Sequence, residues 1–227
     1  MKPVALVTGA SRGLGAAIAH ELVRTHRILV GGTNPRTVDQ MVAELGDAEP
    51  FIADLRDDSA LAHAAAGVER VDVLVHNAGI EMAKTVEEST RQDFREIFEV
   101  NVFAVAELTR LLLPRLRESR GHVLTINSGM GFRSTTRGAL YSGTKFALRA
   151  FTDALREEER GRVRVTSIHP GRVDTDMQRA MMARDGREYQ AELYIRPESV
   201  AATVRLAIDT SPEANIDELQ IRPVTIT

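Results

Sequence analysis

A tyrosine and a lysine four positions apart, Tyr141 and Lys145, with Ser128 a short interval upstream, form a set of side chains that can move a proton. If Tyr141 lies on a helix, residues four apart stand on one face a turn apart, so the ammonium can approach the phenol. A cation at that distance favours the phenolate and brings an otherwise weak acid towards a useful range. Tyrosine and lysine meet at this spacing on many helices by chance. The elements that carry them must therefore supply the context.

Those elements alternate. Val4–Thr8 is a short apolar run, and apolar residues at helical spacing follow from about 16 to 23. Ile28–Gly32 is a second strand, with Pro35 suited to the first turn of a helix that reaches about Leu45 and stops at Gly46. Pro50–Ala53 reads as a strand, Ser59–Ala66 as a helix and Val71–Val75 as a strand with an almost continuous apolar run, the pattern of a strand covered on both faces. A long helical zone, Arg91–Arg117, precedes the strand His122–Asn127, the helix Tyr141–Glu159 and the strand Val163–His169. After Pro170 the regularity lapses until a helix near Glu198–Ile208 and a last strand at Glu218–Ile221. Strands alternating with helices imply right-handed crossovers and a doubly wound parallel sheet of about seven strands in three α/β/α layers.

Between the first strand and its helix lies Thr8-Gly9-Ala10-Ser11-Arg12-Gly13-Leu14-Gly15. Glycine lets a backbone turn tightly and come close to a ligand, and a helix N-terminus offers free N–H groups and a positive dipole to a pyrophosphate. His76-Asn77-Ala78-Gly79 stands at the end of the fourth strand and Pro170-Gly171-Arg172-Val173-Asp174-Thr175 after the sixth.

Composition narrows the field. The 227 residues fit one domain. With 29 basic and 32 acidic residues the net charge is -3, and no like-charged block suggests a nucleic-acid arm. There is no cysteine, which excludes disulfides and thiolate metal sites. The first strand begins almost at Met1, leaving no space for a leader, and no apolar run is long enough to span a membrane, so a cytoplasmic protein acting on small molecules is expected.

Together these stretches resemble the short-chain dehydrogenase/reductase family: the glycine loop is similar to its T-G-x-x-x-G-x-G, His76–Gly79 to its Asn-Asn-Ala-Gly, and Ser128, Tyr141 and Lys145 to its Ser…Tyr-x-x-x-Lys. Asn101, in EVNVFA, matches its helix asparagine, and Pro170–Thr175 its Pro-Gly-x-Val-x-Thr. The resemblance implies a Rossmann-like oxidoreductase domain over 1–227, with a substrate lid at about 176–196. Hydride would pass between a nicotinamide and a carbonyl or secondary alcohol, Tyr141 being the general acid/base. Ser128 would hold the carbonyl oxygen, Lys145 would bind the nicotinamide ribose and lower the phenol's pKa, and Asn101 would hold a relay water. No metal is needed. Cofactor contacts fall on Gly9, Ser11, Arg12, Gly13, Leu14, Gly15, Thr33, Asn34, Arg36, Asp54, Leu55, Asn77, Ala78, Gly79, Tyr141, Lys145, Pro170, Gly171, Val173 and Thr175. Asp54 also reads as an ordinary helix cap, and His76, where the family has asparagine, as structural.

NADP(H) is expected in preference to NAD(H). An NAD site places a carboxylate at the end of the second strand, which would repel a 2′-phosphate; here the chain reads Gly31-Gly32-Thr33-Asn34-Pro35-Arg36, with no acid, and Arg12 adds a cation. The substrate pocket should be edged by 80–82, 129–133 and the segment from Met177 to Tyr194, with Met177, Met181 and Met182 as an adaptable lining. A dimer or tetramer is implied through the helices carrying Phe94, Phe98, Leu108, Phe146 and Phe151. Two rival readings exist. Ser142-Gly143-Thr144-Lys145 fits the S-x-x-K of acyl-transferring hydrolases, but the companion S-D-N and K-T-G motifs are absent. A non-catalytic, redox-sensing module on the same fold would tend to lose the tyrosine or lysine.

Overall fold

Seven strands, all parallel, form one sheet in the order β3-β2-β1-β4-β5-β6-β7. They are β1 (Val4–Val7), β2 (Arg27–Gly32), β3 (Ala48–Ile52), β4 (Val73–His76), β5 (His122–Ile126), β6 (Arg164–Pro170) and β7 (Glu218–Ile221). The computed structural model describes residues 2–224. Alternation along the central strands builds two cores. Ala5, Val7 and Val30 face Ile18 and Leu22 of α1 (Gly13–Leu22), Val38 of α2 (Pro35–Leu45) and Val200 and Val204 of α8 (Pro197–Asp209). Leu6, Leu74, Val123 and Val165 face Leu61 of α3 (Asp58–Ala66), Leu108 and Leu112 of α5 (Ala104–Ser119) and Leu155 of α6 (Ala139–Glu158). Every central strand is thus covered on both faces, which explains its unbroken apolar run.

The predicted elements are present, with ends displaced by a few residues, and one zone is divided. Arg91–Arg117 is not one helix: α4 (Arg91–Phe98) passes through a π-helical turn, Glu99–Phe103, before α5 begins. A capping box starts α4, Thr90 accepting from the Asp93 N–H at 3.1 Å while Asp93 accepts from the Thr90 N–H at 2.8 Å. Asn101 sits inside the π turn and is buried. The stretch after Pro170, where periodicity gives out, holds a short helix, α7 (Asp176–Arg184), started by Thr175. Its excursion is pinned at the base, where Asp174 N–H donates to Ile195 O at 2.8 Å and Ile195 N–H to Arg172 O at 2.9 Å.

The order of strands reverses between β1 and β4, and a parallel sheet opens a crevice at the carboxyl ends of its strands at such a point. No helix among the described residues is long and apolar enough to cross a membrane. Of the apolar residues expected at an interface, Phe94 and Phe146 are exposed, as is the neighbouring Phe103, whereas Leu108 is core.

Candidate active site

A cavity of about 1460 Å³ occupies that crevice. One end is made of backbone. Gly9 and Gly13 adopt positive φ, +65° and +56°, and a Cβ on Gly15 would lie 2.1 Å from Gly9 O, so no larger residue fits the turn. Thr8 locks the loop to the β4 end: its Oγ1 accepts from the N–H groups of Asn77 and Ala78, each at 3.0 Å, while Asn77 Nδ2 donates to Thr8 O at 2.9 Å and Gly9 O at 3.3 Å. Arg12, at the N-cap of α1, is fully extended and makes no side-chain cap, which leaves the first N–H groups of the helix without that partner at the cavity edge. Close backbone approach and open amides suit a dinucleotide pyrophosphate.

Ser11, Arg12, Leu14, Thr33, Asp54, Leu55, Ala78, Gly79, Pro170, Gly171, Val173 and Thr175 also line the cavity. Asn34 and Arg36 stand outside that lining; Asn34 caps α2, accepting from the Arg36 N–H at 3.0 Å. Asp54 is not a helix cap, because Asp57 has that task for α3. Instead Asp54 takes both Nε and Nη2 of Arg56, at 3.0 and 2.8 Å, and that guanidinium holds its carboxyl below the usual range.

The other end holds the proton-moving set. Tyr141, in the first turn of α6, stands near enough to the Ser128 side chain for that hydroxyl to favour the phenolate. Ser128 is presented by the end of β5 and a 3₁₀ turn, its Oγ accepting from Met130 N–H at 3.1 Å. Lys145 is buried, and its Nζ donates to Ile126 O at 3.0 Å while standing 5.6 Å from the centroid of the Tyr141 ring. The lysine does not lower the phenol's pKa in this state, contrary to the expectation. Burial pushes Tyr141 up to about 12, the nearby Ser128 hydroxyl opposes that rise, and the charge of Glu81 adds to it. Burial alone brings Lys145 down to about 8.

Asn101 does not line the cavity either. Its Oδ1 accepts from Ile80 N–H and its Nδ2 donates to Ile80 O, both at 2.9 Å, and Nδ2 also donates to Thr144 Oγ1 at 3.1 Å. The side chain therefore clamps the loop after β4 to α6. His76 is buried with Nε2 2.8 Å from Thr109 Oγ1, and burial drops its pKa to about 3, so it is a neutral structural partner. Ser142, the nucleophile of the S-x-x-K reading, is buried with an unpartnered hydroxyl and does not line the cavity, which removes that rival.

Above this end lies α7. Met177 and Met181 line the cavity, whereas Met182 packs into the interior. Arg184, at the end of α7, donates to Glu81 Oε2 at 2.8 Å and to Asp185 at 3.1 Å. Asp185 lies 3.9 Å from Arg137, whose guanidinium donates to Ala83 O at 3.3 Å. Four alternating charges thus join the loop after β4, the loop before α6 and α7 around the mouth. The sequence places Glu81 beside a motif but gives no hint of Arg184, a hundred residues away. Among the described residues no group of acids and histidines is arranged to hold a metal.

The family model described as short chain dehydrogenase matches residues 3–186. A short-chain type dehydrogenase/reductase of Sinorhizobium fredii is 34% identical over 227 residues, covering 97% of this chain and 91% of the relative. Among solved structures, the closed form of a serine dehydrogenase complexed with NADP+ superposes with a TM-score of 0.89 at 26% identity, covering 99% of this chain and 96% of the other. An alcohol dehydrogenase from the archaeon Thermococcus sibiricus, complexed with 5-hydroxy-NADP, gives 0.87 at 28% identity over 99% and 98% of the two chains.

Proposed function

The chain belongs to the short-chain dehydrogenase/reductase family, oxidoreductases acting on CH–OH and C=O groups, and from that premise we propose that it is an NADPH-dependent reductase of small carbonyl compounds, and a dehydrogenase of the matching alcohols. The observation that carries this is that Ser128, Tyr141 and Lys145, the lysine buried one turn beyond the tyrosine, line together the cavity that the glycine loop closes at its far end. The bound nicotinamide supplies or accepts the hydride.

The chain's own residues handle the oxygen and its proton. Ser128 donates to the carbonyl oxygen and fixes it against the Tyr141 hydroxyl; Tyr141 gives its proton to the oxygen as charge develops there, and takes it back in oxidation. At about pKa 12 Tyr141 is a weak acid whose phenolate, once it has given its proton, is readily reprotonated, and Lys145, whose proton is loosely held at about 8, is the group that resupplies it. That task requires the ammonium to leave Ile126 O and turn towards the ribose hydroxyls and a relay water in the π-turn neighbourhood. Asn101 contributes by fixing Ile80 and Thr144 around that path. Replacing Tyr141 with Phe should lower kcat for NADPH-dependent carbonyl reduction by roughly 10²–10⁴ with cofactor binding retained. Wild-type turnover in Tyr141→Phe would remove the tyrosine from the mechanism, and a wild type that binds NADPH but reduces no carbonyl would favour the redox-sensing module.

The preference for NADPH rests on the absence of an acid after β2 and on Arg12, which lines the cavity and whose side chain makes no hydrogen bond or ion pair among the described residues. A guanidinium on the 2′-phosphate gives about tenfold to a hundredfold discrimination. Equal kcat/KM for NADPH and NADH in wild type would refute this, and a preference that survives Arg12→Ala would move the role to Thr33 or to Arg56. Assembly into a dimer or tetramer is supported by the exposed Phe94, Phe103 and Phe146 on neighbouring helical segments; a monomer in light scattering at micromolar concentration would reject it.

A further inference from the structure

The wall beside Tyr141 carries a carboxylate for which the reaction above has no use. Glu81 follows Ile80, whose N–H and carbonyl are both held by Asn101, so its position relative to α6 is fixed. Its side chain is only 10% exposed and lines the cavity. Oε2 is taken by Arg184; Oε1 has no hydrogen-bond partner among the described residues. The neighbouring charges are otherwise committed: Arg184 is shared with Asp185, Arg137 lies against Asp185 and Ala83 O, and Lys84 on the same loop is bonded to Asp93 at 2.7 Å.

One oxygen of this carboxylate thus faces the cavity without a partner in the protein. The carboxylate also opposes the reaction, because its charge disfavours the phenolate that Tyr141 must become. That opposition is offset when a cation occupies the cavity between the two groups. Arg184 does not serve as that cation alone, since it is shared with Asp185 and takes only Oε2.

We propose that Glu81 Oε1 binds an ammonium group on the carbon next to the reacting one, so that the substrates are amino ketones and the corresponding vicinal amino alcohols. The assignment deepens the oxidoreductase reading and rests on it. In the oxidative direction the carbon's hydrogen leaves as hydride to the oxidised nicotinamide cofactor, the hydroxyl proton goes to Tyr141 and the C=O bond forms. The ammonium keeps its protons and its bond to carbon throughout, and serves only to place the substrate and to offset Glu81.

Aminoacetone and butanone have nearly the same shape and differ in ammonium against methyl, which makes them the test pair. With the NADPH-loaded wild type, kcat/KM for aminoacetone should exceed that for butanone by about tenfold or more, chiefly through KM. In Glu81→Gln, where the amide oxygen can still accept from Arg184, the ratio should fall towards one. A wild type with no preference for the amino ketone overturns the proposal. So does a ratio that persists in Glu81→Gln while both activities fall together, the result expected if the residue only latches α7. Should neither ketone be reduced, calorimetric titration of aminoacetone into the NADPH complex decides the two readings separately. Binding that Glu81→Gln abolishes keeps the site while the reductase reading fails; no binding overturns the site as well.

Discussion

The two ends of the cleft are built by different means. At the cofactor end the parts are backbone: positive-φ glycines, uncapped amides of α1, and a threonine tying two strand ends that are adjacent in the sheet. At the substrate end the parts are long side chains that meet across the mouth, Glu81 with Arg184 and Asp185 with Arg137. Backbone geometry tolerates little error and couples directly to the fold. The Arg137–Asp185 pair is exposed, and such pairs couple weakly to stability, typically ~0.2–1 kcal/mol each, and can open and re-form. An enzyme with one cofactor and a substrate that must enter and leave is served by this division.

The largest effect that should follow from the contrast is at Gly15. A Cβ there would sit 2.1 Å from Gly9 O and 2.6 Å from Asn77 Nδ2, against backbone and a doubly bonded amide that cannot both yield. Gly15→Ala should cost about 3 kcal/mol in urea unfolding and weaken NADPH binding in parallel. If stability holds while cofactor affinity alone is lost, the loop is less coupled to the fold than its hydrogen bonds indicate.

Next in size is Asn101, which belongs to neither end and joins them. Asn101→Ala strands the half-buried N–H and carbonyl of Ile80 and removes the tie to Thr144. Roughly 2 kcal/mol of stability should go with it. Because Ile80 leads straight into Glu81, kcat should fall as well, which separates this variant from a general core defect.

A pH test distinguishes scaffold from mouth. His76, hydrogen-bonded to Thr109, and His122, hydrogen-bonded to Thr166 and close to Arg164, are both buried in the sheet, and burial lowers each to about 3 from an ordinary 6.5. The unfolded chain therefore binds more protons than the folded one between those values. Stability falls as pH drops below about 6.5, by up to ~1.4 kcal/mol per pH unit for each histidine. Urea midpoints at pH 7.5 and 5.5 should show this, and His76→Asn, which restores the family's residue, should flatten the dependence. An unchanged slope would mean that the folded state accommodates the charge.

Sequence legibility follows the same division. The seven strands, their parallel order and the glycine loop could be read because each is a local pattern of spacing or chirality. Asn101 could be found from the residues around it, yet the π turn that explains its presence, and the consumption of its amide by Ile80 and Thr144, could not. Asp54 offered two local explanations, and the structure gives a third in Arg56. Arg184 gave no signal because its partner lies more than a hundred residues earlier, and α7 has too short a run of apolar residues for periodicity to mark it. The phenol shows a further limit: spacing predicts that Lys145 can approach Tyr141, but whether burial or charge prevails at the hydroxyl depends on what surrounds both.

The smallest predicted effect is the most direct test of the division itself. Within the α7 excursion Asp174 accepts from Arg179 at 2.6 Å and from the Tyr189 hydroxyl; Arg179 also lies over the Tyr189 ring at 4.5 Å, and Tyr189 stacks on Tyr194 at 4.9 Å. This cluster shapes the excursion without reaching either hydrophobic core, and the Arg179 side chain is 53% exposed. Arg179→Gln should therefore leave the urea midpoint within about 0.5 kcal/mol of wild type, as for most surface substitutions. If α7 closes over bound substrate, loosening its support should instead appear as an increase in KM of about twofold to fivefold, the scale of one exposed pair, with NADPH affinity unaltered. Gly15→Ala moves stability and cofactor binding together, whereas Arg179→Gln should move neither and change only substrate binding. A lid variant that destabilised the whole fold would erase the difference between the two ends, because it would make the mouth as much a part of the scaffold as the glycine loop.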